Sequence, residues 1–112
     1  MNVTEIQVLR DISKNPCISQ REIASRNGVS LGKTNYVIRS LVDKGHVKVR
    51  NFRKSENKKG YMYLLTPHGM AEKARLTVEY LRRKMEEYEK LQRELNELKQ
   101  ELNKPDKEEK NY

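Results

Sequence analysis

A long stretch in the C-terminal part of this chain, residues 70–104, contains no glycine and no proline, and this limits the folds open to it. The stretch predicts a single helix of roughly 35 residues, about 50 Å long at the usual rise of an α-helix. Its apolar residues recur at spacings of three and four, which is the pattern of a coiled-coil seam. The residues of this apolar stripe are Leu81, Met85, Tyr88, Leu91, Leu95, Leu98 and Leu102.

We interpret the stripe as the surface through which two copies of the chain form a homodimer. The alternative is an amphipathic helix that folds back on its own domain. The sequence disfavours this alternative because the other face of residues 84–104 is charged throughout and the rest of the chain offers little apolar surface. Upstream the stripe widens to Ala74 and Val78, so we expect the first turns to pack on the N-terminal domain. Parallel and antiparallel pairing both remain open.

Composition excludes several classes of protein. With 35% hydrophobic and 36% charged residues, one Phe and no Trp, the chain is too polar to fill a compact core of 112 residues. No apolar run approaches the roughly 18 residues of a membrane span, and the N-terminus lacks a signal-peptide pattern, so we expect a cytoplasmic protein without a membrane partner. Cys17 is the one cysteine, and His46 and His68 have no neighbouring ligands in the sequence. We therefore expect no disulfide within the chain, no metal and no cofactor.

The net charge of +8 belongs entirely to the first part of the chain. Residues 1–66 hold 13 Lys and Arg against 5 Asp and Glu, whereas residues 67–112 hold 11 of each kind. A basic module of this type indicates a polyanionic partner, and the neutral remainder indicates a different role. The predicted division of the chain is a binding domain at 1–66, a dimerisation helix at 67–104 and a charged flexible tail at 105–112.

The N-terminal domain opens with a predicted helix that has Thr4 as its N-cap. Asn15-Pro16 ends this helix, because the residue before a proline avoids the helical region. Cys17 and Ile18 come next, and we interpret them as a short bridging strand. No Lys, Arg or His flanks Cys17 to favour the reactive thiolate, so a small buried residue is expected there rather than a redox sensor.

Two short helices with clear start and stop signals follow. Ser19 begins the first as the N-cap of a Ser-Gln-Arg-Glu capping box, and Asn27-Gly28 ends it. Ser30 caps the second, and Gly45 follows its last turn. Two capped helices joined by a tight turn with a glycine are the helix-turn-helix pattern. The predicted apolar face of the second helix contains Leu31, Thr34, Ile38, Leu41 and Val42.

A β-hairpin is predicted after these helices. Residues 46–52 alternate apolar and basic side chains, residues 53–60 form a polar and mostly basic loop, and residues 61–65 favour a strand. Thr66 and Pro67 then carry the signals for the N-cap and first position of the long helix. The predicted fold is therefore mainly α, an α+β winged helix-turn-helix with a long C-terminal coiled-coil helix.

Four motifs of the chain also occur together in one family of winged helices. They read Pro-Cys-Ile-Ser-Gln-Arg-Glu-Ile-Ala at 16–24, Gly-Val-Ser at 28–30, Leu-Val-Asp-Lys-Gly-His-Val at 41–47 and Leu-Thr-Pro-His-Gly at 65–69. On these motifs the chain resembles the MarR family of bacterial regulators, over roughly residues 3–95. The resemblance implies a winged-helix fold and regulation of transcription.

A further string is more narrowly similar to the small subgroup of that family that is encoded beside exopolysaccharide gene clusters. It reads Ser-Leu-Gly-Lys-Thr-Asn-Tyr at 30–36, followed by Arg-Asn-Phe at 50–52. Larger members of the family form a dimerisation platform from helices at both ends of the chain, with a ligand pocket beneath it. Here almost nothing precedes the first helix. We therefore do not carry the pocket over, the effector stays unknown, and dimerisation is expected to depend on the C-terminal helix.

The partner favoured by these observations is double-stranded DNA, bound sequence-specifically by a homodimer on a pseudo-palindromic operator. The helix at 30–44 is predicted to enter the major groove, the preceding helix to face a phosphate with its first turn, and the wing to contact the backbone or minor groove. The candidate contacts are Ser30, Gly32, Lys33, Asn35, Tyr36 and Arg39 on the recognition helix, Ser19, Gln20 and Arg21 at the start of the preceding helix, and Arg50, Arg53, Lys54, Lys58 and Lys59 on the wing.

Several of these candidates have a simpler explanation. Gly32 is equally well explained as a neutral surface position, Asn35 as a partly buried hydrogen-bonding residue and Tyr36 as a side chain that packs on the domain. Ser19 caps its helix in either case. The basic residues of the wing tip could instead belong to a solvated loop that binds nothing. The uneven distribution of charge along the chain argues against this explanation.

A second class of function is a winged helix that binds protein or RNA on a coiled-coil scaffold. RNA readers usually present exposed aromatic platforms, for which Tyr61 and Tyr63 are the candidates on the wing. A membrane-surface role is disfavoured because the basic residues do not lie on an apolar-faced helix. An enzyme is not expected, since no nucleophile–base pair, phosphate loop or catalytic carboxylate pair stands out.

Overall fold

A computed structural model of the chain describes residues 3–55 and 58–104, with side chains described except at 52–55 and 58–59. The order of elements is the predicted one: three short helices, a two-stranded antiparallel sheet and a long helix. This confirms the mainly α winged helix-turn-helix with a long C-terminal helix. The elements are α1 (Val3–Lys14), α2 (Gln20–Asn27), α3 (Leu31–Asp43), β1 (Val47–Ser55), β2 (Lys58–Leu65) and α4 (Pro67–Asn103).

The start of α1 differs from the prediction. Thr4 lies inside the helix and its side chain is buried, so its assignment as the N-cap is wrong. Thr4 stands one turn before the buried Val8, on the face that packs into the core, and this packing outweighs the capping preference of threonine. α1 ends at Lys14, immediately before Asn15-Pro16, as the sequence predicts.

The connection between α1 and α2 is a turn, so the predicted bridging strand is wrong. The Cys17 N–H donates to Asn15 Oδ1 at 3.1 Å, a local side-chain bond that competes with strand pairing. One backbone bond, from the Tyr63 N–H to the Pro16 carbonyl oxygen at 2.9 Å, joins this turn to β2. Cys17 is exposed, which contradicts the expectation that it is buried, and its neighbour Ile18 occupies the core position instead.

The starts of α2 and α3 have the predicted caps. The Ser19 hydroxyl accepts a hydrogen bond from the Glu22 N–H, and the Ser30 hydroxyl accepts one from the Lys33 N–H, both at 3.0 Å. Each hydroxyl satisfies an N–H that has no partner within its own helix. The first turns of both helices are therefore ordered before any ligand arrives.

Glycines in the left-handed region end the same two helices, with φ 63° at Gly28 and 76° at Gly45. The residue after each glycine then donates its N–H back into the helix, Val29 to the Ala24 carbonyl oxygen at 3.1 Å and His46 to that of Leu41 at 2.8 Å. Only glycine adopts this conformation without steric cost. The paired bonds fix how the chain leaves α2 for α3 and α3 for the hairpin.

The hairpin is longer than predicted. β1 and β2 pair antiparallel from Val47 opposite Leu65 out to Ser55 opposite Lys58. The prediction of a loop over residues 53–60 is therefore wrong, because most of that segment belongs to the two strands. Backbone hydrogen bonds hold a ladder together regardless of side-chain polarity, so a basic composition did not mark the end of the strands.

The core is formed by the three short helices, the base of the hairpin and the first turns of α4. On α3 the buried face includes Val37, which the predicted face omitted, whereas Leu31, which it included, is exposed. Thr34, Val37 and Ile38 follow helical spacing, and Leu31 stands in the first turn, before α3 reaches the core. The core residues are Ile6, Val8, Leu9, Ile12, Ile18, Ile23, Val37, Ile38, Leu41, Val47, Tyr63 and Leu76.

The first turns of α4 pack on the domain, as predicted, but through a different face. Leu76 lies in the core with Tyr80 packed against it, whereas Ala74 and Val78, the predicted contacts, are exposed. Gly69 provides the reason, since a Cβ added there would lie 1.9 Å from the His46 carbonyl oxygen. Gly69 and Leu76 are two turns apart on one face of the helix, so the close approach at Gly69 turns that face inward.

Hydrogen bonds tie the start of α4 to the end of α3. The Thr66 hydroxyl accepts a bond from the Gly69 N–H at 2.9 Å, which confirms Thr66 as the N-cap, and donates to the Gly45 carbonyl oxygen. The Thr66 N–H donates to the His46 carbonyl oxygen at 3.1 Å. The end of α3 and the start of α4 therefore share one small hydrogen-bonded junction.

The chain forms two compact units, Met1–Tyr80 and Leu81–Tyr112. In its described part, the second unit is a helix whose side chains are all exposed, including the apolar stripe from Leu81 to Leu102. An isolated helix with an exposed apolar stripe has no core of its own. The predicted tail at 105–112 lies outside the described residues.

Candidate nucleic-acid interface

The exposed face of α3 carries the predicted recognition residues at helical spacing. Gly32, Lys33, Tyr36 and Arg39 are all exposed, and each lies three or four positions from another of the set. Tyr36 is 74% exposed, so the alternative that it packs on the domain is wrong. Nothing lies within 4 Å of a Cβ added at Gly32, so the backbone at the start of α3 is open to close approach.

The start of α2 offers fewer free groups than the sequence suggests. The Ser19 hydroxyl oxygen accepts the capping bond and keeps its O–H as a donor, whereas Gln20 is half-buried. Arg21 is exposed. A phosphate at this helix start would therefore meet the free N–H groups of the first turn and the Arg21 guanidinium.

The basic residues of the first unit fall into two groups. Some have acidic partners, as Lys44 has in Glu5 at 3.1 Å and Arg26 has in Asp11 at 3.7 Å. Others have no ion pair in the part of the chain whose side chains are described. This second group includes the predicted contacts Arg21, Lys33, Arg39 and Arg50, and also residues that are not predicted contacts: Arg10, Lys14, Lys48 and Lys73.

Two predicted contacts, Asn35 and Gln20, are hydrogen-bonded to each other. Asn35 Nδ2 donates to Gln20 Oε1 at 3.1 Å, and Gln20 Nε2 donates to the Tyr63 hydroxyl at 3.2 Å. This supports the alternative explanation of Asn35 as a partly buried hydrogen-bonding residue. Asn35 nevertheless keeps its Oδ1 atom and one N–H for another partner.

The two faces of the hairpin differ in what they present. Val49 lies opposite Tyr63 on one face, and Arg50 lies opposite Met62 on the other. Arg50 is exposed, as a backbone contact requires. The other wing candidates have their backbones in the two strands, but their side chains lie outside the described part of the structure: Arg53, Lys54, Lys58 and Lys59.

Tyr61 and Tyr63 stand two residues apart on β2 and differ sharply in exposure. Tyr61 is 61% exposed, whereas Tyr63 is 5% exposed. The suggestion that Tyr63 stacks on bases is therefore wrong. Of the two aromatic candidates for an RNA platform, Tyr61 remains. The reason is position, because Tyr63 faces the core at the base of the hairpin and Tyr61 lies one step further out.

A cleft of 440 Å³ lies between α3 and the hairpin face that carries Val49 and Tyr61. Asn35 and Arg39 line it from α3. Tyr61 is thus a candidate contact that the sequence analysis did not include among those for DNA. The strand register was the missing signal, since it places Tyr61 on the face of the hairpin that looks toward α3. In the described residues, no cluster of His, Cys, Asp and Glu is arranged to hold a metal ion, and no helix has the length and apolarity to span a membrane.

Comparison with known proteins supports the winged helix. Residues 1–48 match a family model described as winged helix-turn-helix DNA-binding. Over 50 residues, the chain is 46% identical to the uncharacterized protein MJ0558 of Methanocaldococcus jannaschii. That match covers 44% of this chain but only 19% of MJ0558, so the similarity concerns a domain.

Solved structures of transcriptional regulators share the fold. The MarR family protein RV2887 of Mycobacterium tuberculosis, in complex with p-aminosalicylic acid, superposes with a TM-score of 0.67 and 24% identity, over 93% of this chain and 80% of that one. The PcaV regulator of Streptomyces coelicolor superposes with a TM-score of 0.62 and 21% identity, over 73% of this chain and 57% of PcaV. The chain therefore has the winged-helix fold seen in MarR regulators.

Proposed function

We propose that this protein is a transcriptional regulator that binds double-stranded DNA sequence-specifically, with α3 in the major groove. The observation that carries the proposal is the set of exposed basic side chains on a helix-turn-helix that have no ion pair among the described side chains. Lys33 and Arg39 lie on the exposed face of α3, where they suit the acceptor atoms of guanine, and Asn35 suits adenine. Arg21 and Arg50 flank α3 in positions suited to phosphate.

Electrostatics makes the first test simple. Two phosphate contacts per subunit, Arg21 and Arg50, or four per dimer, predict that the logarithm of affinity falls with that of salt with a slope of about −4. Affinity for duplex DNA should then fall by about 10²-fold or more between 50 and 200 mM salt. Fluorescence anisotropy with a labelled duplex measures the affinity at each salt concentration. An affinity that does not change with salt would contradict the electrostatic part of the proposal. Single-stranded RNA, as a competitor, is expected not to displace the duplex.

The recognition helix is tested by a triple substitution, Lys33→Ala, Asn35→Ala and Arg39→Ala. Specific binding to a duplex selected from a randomised library should be lost, while the circular dichroism spectrum stays unchanged because all three residues lie outside the core. The matched control, Lys90→Ala, Arg93→Ala and Asn96→Ala, removes the same residue types from exposed positions of α4. Retained specificity in the first variant would exclude α3 as the reading element.

We further propose that the protein is a homodimer formed through the apolar stripe of α4. The support is the exposure of every stripe residue in the described part of the second unit, together with their coiled-coil spacing. Leu95→Glu at the centre of the stripe should give a monomer in light scattering at micromolar concentration. Asn96→Glu, next to it on the polar side, should leave the dimer intact. A monomeric wild type would refute the proposal.

Two-fold symmetry of such a dimer would require a pseudo-palindromic operator with half-sites about 10 bp apart or a multiple of that spacing. The narrow resemblance of residues 30–36 and 50–52 to the exopolysaccharide-associated subgroup suggests where to look. Footprinting on DNA upstream of the protein's own gene and its neighbours tests both points. Protection of one half-site alone would contradict the symmetric arrangement.

A further inference from the structure

We infer that Tyr63, a residue of the wing strand β2, positions the amide of Asn35 for the reading of an A·T base pair and acts on it through Gln20. The inference rests on the proposed DNA-binding function and extends it. Tyr63 is a positioning residue, because its buried side chain cannot itself reach a base. It would connect the wing to sequence specificity without any contact to DNA.

The connection runs through three separate elements. Tyr63 on β2, Gln20 at the first position of α2 and Asn35 on α3 are joined by bonds of 3.2 Å and 3.1 Å. Tyr63 is the fixed end of this series of hydrogen bonds. Its ring lies in the core, and its backbone N–H donates to the Pro16 carbonyl oxygen at 2.9 Å. The near end, Asn35, lies on the cleft between α3 and the hairpin.

The chemistry of the amide shows what this anchoring achieves. Asn35 has one acceptor oxygen and two N–H donors, of which Gln20 takes one. Adenine requires one acceptor and one donor from an asparagine, and that pair remains. The terminal torsion of asparagine is broad when nothing holds it, so Gln20 restricts the amide plane before DNA arrives.

Gln20 in turn depends on Tyr63. With phenylalanine at position 63 the ring and its packing remain, but the hydroxyl that accepts from Gln20 Nε2 is gone. The side chains of Gln20 and Asn35 would then become ordered only when DNA binds. Immobilising a side chain on binding usually costs roughly twofold to tenfold in affinity, so the contact with adenine should weaken by that factor. The loss should fall on one base-pair position and leave the phosphate contacts untouched.

The experiment compares Tyr63→Phe with Thr77→Val in the full-length chain. Thr77→Val is the matched control, because it also removes one hydroxyl and keeps the side-chain shape, while Thr77 is exposed on α4 and its hydroxyl donates to the Lys73 carbonyl oxygen of the same helix at 2.6 Å. The wild type first selects a duplex from a randomised library, and affinities are then measured on that duplex and its single base-pair substitutions. Asn35→Ala identifies the position that Asn35 reads, which the inference requires to be A·T.

We expect Tyr63→Phe to reduce discrimination at that position by roughly two- to tenfold, with other positions and the salt dependence unchanged. Thr77→Val should leave discrimination at that position unchanged. In the Asn35→Ala background, Tyr63→Phe should have no further effect, because its influence passes through Asn35. A uniform loss of affinity, no loss, or an effect that persists without Asn35 would overturn the inference.

A measurement without DNA separates this inference from the proposed function. NMR of the side-chain amides should show faster proton exchange at Gln20 and Asn35 in Tyr63→Phe than in the wild type and in Thr77→Val. Unchanged exchange would refute the positioning role even if DNA binding is specific. If the wild type selects no sequence from the library, the proposed function fails, and the base-reading part of the inference fails with it.

Discussion

Replacing Gly69 by alanine tests the most crowded point of the fold. Intrinsic helix propensity alone predicts that Gly→Ala in a helix stabilises by up to about 1 kcal/mol. The structure predicts the opposite, because the new Cβ would lie 1.9 Å from the His46 carbonyl oxygen and 2.8 Å from its carbon. Both are backbone atoms, which cannot rotate away as the end of a side chain can.

The magnitude follows from the displacement required. To reach 3.0 Å, a separation below which real Cβ atoms essentially never come, α4 or the His46 carbonyl must move by about 1 Å. Overpacking of this kind costs about 1–3 kcal/mol. The shift also weakens the hydrogen bond from the Thr66 N–H to the His46 carbonyl oxygen, which costs about 1 kcal/mol more. The higher helix propensity of alanine offsets this second cost. The net expectation for Gly69→Ala is a loss of about 1–3 kcal/mol.

Gly32→Ala is the matched control, since Gly32 is also helical but has nothing within 4 Å of an added Cβ. Urea denaturation followed by circular dichroism at fixed protein concentration measures both variants, because dimerisation would otherwise shift the midpoint. The midpoint should fall for Gly69→Ala and stay equal or rise for Gly32→Ala. A Gly69→Ala variant as stable as the wild type would refute the close packing of α4 on the end of α3.

Further substitutions test other parts of the fold. Asn27→Ala removes the 2.8 Å bond to the buried Asp11 carboxylate and should cost about 1–3 kcal/mol in thermal unfolding. Gly28→Ala meets no atom within 4 Å but places a side chain at φ 63°, so about 1–2 kcal/mol of pure backbone strain is expected. The hydrogen bond from Arg75 lowers the pKa of Glu72 below its ordinary value, so Arg75→Met should raise that pKa in an NMR titration. A carboxyl whose pKa is lower in the folded than in the unfolded state stabilises the fold at pH values above its unfolded pKa. Arg75→Met should therefore be less stable than the wild type at pH 7, and the difference should vanish as the pH falls through the folded-state pKa of Glu72.

Much of the candidate site was predictable from local sequence. The caps at Ser19 and Ser30 and the glycines that end α2 and α3 are short-range signals, and together they define the helix-turn-helix. The exposure of Lys33, Tyr36 and Arg39 follows from their spacing relative to the apolar residues of α3. What the sequence analysis did not find was the link from Gln20 to Tyr63, because the two residues are 43 positions apart.

The sequence by itself determined the order of elements, the C-terminal ends of the three short helices, the N-caps of α2 and α3 and the apolar stripe of α4, since each depends on residues within one or two turns of one another. Tertiary structure decided which face of α4 packs on the domain, how far the hairpin extends, and which of Tyr61 and Tyr63 is exposed. These features depend on distances between segments far apart in the chain. The glycine at position 69 illustrates the difference: in the sequence it is a weak helix residue, and in the fold it is the point at which α4 approaches the backbone of His46 and turns Leu76 into the core.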